Sequence, residues 1–153
     1  NKEIIKMAIT TNAICNSFKK GLLEGTYDFK TPGGNTFKLA LFTSTATLGK
    51  STTVFAGGAP NGESSSPTGY SSGGKALVNG GTSLASDTAI VDFADLSFTN
   101  VTLTARGALI YQSDASKTAV AVLDFGSDKT ASSGTFTIQF PAFTTSAAIL
   151  RIA

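Results

Sequence analysis

Two aspartates, Asp92 and Asp124, are the residues of this chain best placed by type and context to do chemistry. Each sits inside an apolar, strand-like run, Ile90-Val91-Asp92-Phe93 and Val122-Leu123-Asp124-Phe125. Carboxylates on facing strands can share a proton or, with Asp95 or Asp128, grip a cation. An acid–base pair acting on cell-wall sugar would have to be these two. The plainer reading turns each carboxylate outward or pairs it with Arg106, Lys129 or Arg151. The chain holds no histidine, which removes the usual general base and metal ligand. Ser116-Lys117 lies in a polar turn and not at a helix start, so it makes a poor nucleophile pair. Cys15 stands alone, so neither an internal disulfide nor a multi-cysteine zinc site can form, and a small buried apolar role is expected of it. The glycines of 57–81 lack the spacing of a phosphate cradle, and no calcium-loop spacing occurs. These residues predict no enzyme, no cofactor and no metal centre.

The elements that would carry these groups are mostly strands. Thr10, Thr11 and Asn12 are N-cap types. Behind them Ile14, Phe18, Gly21 and Leu22 fall on one helical face, and Gly25 can end the helix as C′. One helix is therefore predicted over residues 11–24. Strands follow at 36–43, 89–93, 101–105, 107–111, 119–125, 135–140 and 147–152, with turns at Ser113-Asp114, Gly126-Ser127-Asp128 and Ser132-Ser133-Gly134. Phe136, Ile138 and Phe140 point inward, and 119–125 reads as a central strand covered on at least one face. Residues 44–86 read as a Gly/Ser-rich excursion anchored by Tyr70, Leu77 and Val78, lying on the surface or held by a neighbour. Arg106-Gly107 suggests a bulge or a close backbone approach, with the guanidinium on Asp92 or Asp124. The expected fold is mainly β: a single β-sandwich or jelly-roll-like domain spanning residues 11–153, with one N-terminal α-helix, a long Gly/Ser-rich loop and an N-terminal arm over 1–10. Met7 reads as a natural start. Residues 1–6 then read as an extension, a tag remnant or a product of processing.

Charge points to the kind of partner. Charged residues make up 14% of the chain and hydrophobic ones 41%, against about 25% charged in typical soluble domains. Such a surface is either rich in hydroxyls or largely spent on protein contacts, and the second reading fits better because charge is depleted where protein meets protein. The net charge of +2 is scattered, which gives nucleic acid no basic stripe. No apolar run reaches the ~18 residues of a membrane span, and the opening residues lack a secretory signal's apolar stretch.

Phe37-Lys38-Leu39-Ala40-Leu41-Phe42-Thr43-Ser44, Thr68-Gly69-Tyr70 with Gly73-Gly74, Thr104-Ala105-Arg106-Gly107-Ala108-Leu109-Ile110-Tyr111, Ala119-Val120-Ala121-Val122-Leu123-Asp124-Phe125-Gly126 and Phe140-Pro141 form an ordered set. With Met7-Ala8-Ile9-Thr10-Thr11, this set resembles a group of small proteins encoded among the virion genes of tailed bacteriophages. The resemblance covers nearly all of residues 7–153 and implies a place in the particle without fixing a mechanism. The expected role is a capsid-associated decoration or cement protein, assembled in the host cytoplasm, homo-oligomeric and touching the major capsid or other virion proteins. The alternative is a tail, fibre or adhesion component that binds a host surface glycan. Tyr27, Phe55, Tyr70 and Arg106 are the expected contact residues, since aromatics and arginine anchor interfaces.

Overall fold

The computed structural model describes residue 9 and residues 11–153. The arm expected over 1–10 and the start at Met7 therefore lie outside the described residues, Ile9 excepted. The chain is mainly β, with one helix near its N-terminus and two antiparallel sheets in a sandwich-like arrangement. The larger sheet has the order β1(Ala13–Ile14)-β7(Ala119–Ile138)-β6(Leu96–Gln112)-β2(Phe37–Phe42)-β3(Lys75–Ala76). The smaller has the order β4(Asn79–Ala85)-β5(Thr88–Phe93)-β8(Leu150–Ile152).

The helix, α1, spans Asn16–Leu23 and starts five residues later than predicted. Ala13 and Ile14 are extended and pair with Val122 and Ala121 of β7. Asn12 does not cap a helix, because its Oδ1 accepts the Asp124 amide at 2.6 Å. A ladder that continues the large sheet outweighs a helical turn that only local capping would support. The C-terminal end is as expected. Gly25 takes φ +72, Thr26 N–H donates to Gly21 O (2.8 Å) and Gly25 N–H to Leu22 O (3.3 Å), the paired bonds of a Schellman stop.

The expected strands 101–105 and 107–111 are one strand, β6, and 119–125 and 135–140 merge into the 20-residue β7. The turn-like residues between them are bulges. Ala105 faces Lys129 while Gly107 faces Asp124, so residues 125–128 stand opposite Arg106 alone, with Gly126 at φ +75. Extra residues in one strand are absorbed as bulges when the partner strand continues, and each adds twist. Gly107 has no room for a side chain: a Cβ there would strike Leu123 O and the Ile9 side chain. Of the expected closing strand 147–152, only Leu150–Ile152 is paired.

Both faces of β2 are buried along Leu39–Phe42, with Lys38 half-buried. Phe37 stacks on Phe29 with ring centroids 4.4 Å apart, while Phe42, on the other face, meets Phe55 at 6.2 Å. The first face is covered by Phe29, which packs on Phe18 of α1, and by Phe93 of β5. The second is covered by residues 43–74. The excursion ends earlier than expected, because Lys75–Ala76 and Asn79–Ala85 are strands. Gly80-Gly81 reads as a break in sequence but forms an irregularity between the Asn79 and Thr82 pairings to β5. Of the expected anchors Tyr70 and Leu77 pack inward, whereas Val78 is exposed.

Candidate functional site

The densest polar site is one that sequence reasoning missed. Glu63 lies within the 43–74 segment, is 5% exposed, and accepts four hydrogen bonds. Its Oε1 takes Tyr70 O–H at 3.0 Å and Gly73 N–H at 2.6 Å; its Oε2 takes Gly58 N–H at 2.6 Å and Ser72 Oγ–H at 2.7 Å. Tyr70 also accepts the Leu41 amide (2.9 Å), and Tyr111 O–H donates to Gly73 O (2.7 Å). Burial pushes the Tyr70 phenol far above its usual pKa and that of Tyr111 up to about 12, the nearby Glu63 charge adding to both. All four carboxylate lone-pair directions are filled by donors of the excursion itself, so Glu63 ties that segment together and, through Tyr70 and the Leu41 amide, joins it to β2. The available signal was positional: Glu63 is the one Asp, Glu, Lys or Arg between Lys50 and Lys75.

The two candidate aspartates do not meet. Asp92 is on β5 of the small sheet and Asp124 on β7 of the large one. Asp124 Oδ1 accepts Arg106 Nε–H at 3.0 Å and the Gly126 amide at 2.9 Å. Arg106, together with that amide, holds the carboxyl below its usual range. Of the two carboxylates offered to Arg106, the fold selects Asp124, through Nε rather than a bidentate fork. Asp92 is 3% exposed; its Oδ1 accepts the Phe93 amide (2.8 Å) and its Oδ2 has no partner among the described residues. Burial raises its pKa, the amides of Phe93 and Ile149 pull the other way, and Asp95 pushes it further up. Arg151 is occupied with the Thr145 and Ser146 carbonyls. Among the described residues no three His, Cys, Asp or Glu side chains gather into a set that could hold a metal ion. Cys15 is buried and its thiol is pushed up to about 11 by desolvation.

The expected contact residues are placed unevenly. Tyr27 and Tyr70 are buried inside this chain, Tyr27 donating its O–H to Ala119 O at 3.2 Å. Phe55 is half-buried, stacked on Tyr111 at 4.5 Å with Lys117 Nζ 5.8 Å from its ring centroid. The Arg106 side chain keeps 24% of its surface. Exposed apolar surface lies elsewhere. Leu84, Ala89 and Ile152 pair across all three strands of the small sheet. Leu84 is 71% and Ile152 62% exposed. Beside them Val91 and Leu150 face Phe18, Leu22 and Tyr27 across a half-open groove of about 860 Å³, with Lys19, Asp28, Lys30 and Arg151 around it. Leu23, the last residue of α1, is 92% exposed. A second, polar cleft of about 170 Å³ lies between Phe55, Tyr111, Asp114, Lys38 and Lys117.

No helix of the described residues is long and apolar enough to cross a membrane. No family model, curated protein or solved structure matches the chain significantly.

Proposed function

We propose that this protein is a non-enzymatic structural subunit of a repeated assembly, the virion of a tailed bacteriophage, and that its place there is a capsid-associated decoration or cement role. The observation that carries the reading is the apolar face of the small sheet. Leu84, Ala89 and Ile152 stand exposed in a row beside the groove, in a chain with few charges to keep it soluble. Contiguous exposed apolar surface of this kind marks a protein contact. Its components are small, and repetition around a closed shell multiplies weak contacts into a strong sum. The resemblance to virion-gene products supports the same place.

The tail or fibre reading has one observation in its favour. In the polar cleft an aromatic pair, Phe55 on Tyr111, borders Asp114, Lys38 and Lys117, a mixture of flat apolar face and hydrogen-bonding groups that suits a sugar ring.

Copy number in purified particles separates the two: hundreds for a capsid role, at most tens for a tail role. Leu84→Asp and Ile152→Asp are expected to fold as the wild type does and to lose occupancy on the shell. Particles that lack the protein altogether would refute both readings.

A further inference from the structure

We propose that the outer edge of β7 is a strand-addition site, and that its occupant is the same edge of a second copy of this chain. The inference does not depend on the virion reading.

β7 runs for 20 residues, yet β1 covers it only at Ala121 and Val122. Beyond Asp124 the only strand of the described residues that pairs with β7 is β6. The opposite edge of the same ribbon is closed by the excursion: Ser64 Oγ–H donates to Thr104 O (2.8 Å), Thr102 N–H to Ser66 Oγ (2.9 Å), and Thr68 Oγ1–H to Asn100 O (2.6 Å). Among the described residues, one edge of the ribbon is thus covered and the other is open.

Open edges are normally blunted by charge or proline, or twisted away by bulges. The last bulge falls opposite Thr135, between the Gly134–Val101 and Phe136–Phe98 pairs; from Phe136 to Ile138 the pairing with β6 keeps one register. Thr130 to Phe140 contains no charged residue, and the first proline is Pro141. Phe136–Ile138 is therefore regular, and the run Gly134–Ile138 is uncharged and rich in β-forming residues, which are the properties of a pairing edge.

The occupant follows from side-chain chemistry and charge. Ala131, Phe136 and Ile138 are buried, whereas Thr130, Thr135 and Thr137 are exposed. Hydroxyl pairs already join β7 to β6 on that outer face: Ser97 with Thr137 at 2.8 Å and Thr104 with Thr130 at 2.9 Å. An antiparallel two-fold about Phe136 would set Thr135 opposite Thr137 of the other copy, twice, repeating the same cross-strand pair. Asp128 and Lys129 lie at one end of the edge, so antiparallel pairing carries the charges of the two copies to opposite ends. Parallel pairing would stack like on like.

The test is sedimentation of the whole chain over a concentration series, with hydrogen exchange of residues 134–138 followed in parallel. The expected result is a reversible dimer, with slower exchange in that segment as concentration rises. The double variant Thr135→Lys, Thr137→Lys places like charges across the two-fold and is expected to weaken the dimer by about tenfold or more. Both side chains are exposed in the monomer, so its melting when dilute checks that it folds. A wild-type chain that stays monomeric to about 1 mM would overturn the proposal. So would a trimer, or a dimer that Leu84→Lys dissociates and the threonine variants do not.

Discussion

Replacing Glu63 by glutamine changes one carboxylate oxygen to an amide NH₂ and tests how the excursion is held. The carboxylate serves two donors at each oxygen, one backbone amide and one hydroxyl on each. Ser72 and Tyr70 can rotate their hydroxyl protons away and accept; a backbone N–H cannot. Glutamine will turn its carbonyl to the buried Gly73 amide and leave its own NH₂ against Gly58 N–H, 2.6 Å from the native oxygen and only partly buried. One charge-assisted hydrogen bond is lost, worth about 1.5–3 kcal/mol, and one amide is left unpaired at about 1–3 kcal/mol; partial burial favours the lower half of the sum, about 3 kcal/mol. For a chain of this size each kcal/mol moves Tm by about 2–4 °C, so Glu63→Gln is expected to melt about 6–12 °C lower. Thermal unfolding followed by circular dichroism measures the shift. Hydrogen exchange should show protection lost first over residues 57–74 while β6 and β7 hold. A variant melting within about 2 °C of wild type would show that the excursion is not held by this carboxylate.

Asp92→Asn should raise Tm at pH 7. The raised pKa of Asp92 means that wild-type stability falls as pH climbs from about 4 through the folded value, so the gain should vanish at pH 4 and below. Arg106→Gln should cost about 1.5–3 kcal/mol at neutral pH, because the Asp124 side chain is only 11% exposed. Asp124 has a lowered folded pKa, so its stabilisation is present above about pH 4 and lost as pH falls through that value; denaturant titrations of wild type and variant should converge in acid. The Cys15 thiol should resist a thiol-specific reagent at pH 8 in the native protein and react promptly in denaturant, since desolvation keeps it protonated.

The amino-acid sequence alone determined the fold class, the single helix and its stop, and the inward set Phe136, Ile138 and Phe140. These depend on neighbours a few residues away: alternation marks a half-buried strand, and only a residue tolerant of positive φ closes a Schellman turn. The burial of Cys15 and the close backbone approach at Gly107 were legible from residue type. What the tertiary structure decided depends on partners distant in sequence. Ala13 and Ile14 look helical until β7 offers a ladder. Gly126-Ser127-Asp128 looks like a turn until β6 is found to continue past it. Nothing near Asp92 or Asp124 says that Asp124 joins Arg106 and that Asp92 is buried in a different sheet. Tyr70, an apparent surface anchor, is buried because Glu63 and the Leu41 amide satisfy its hydroxyl. The exposed row Leu84, Ala89 and Ile152 joins three strands drawn from 79–85, 88–93 and 150–152, a patch that no window along the chain contains. Side-chain periodicity fixes which way a strand faces, but which strands lie side by side is set by long-range pairing, and that pairing assembles the surface.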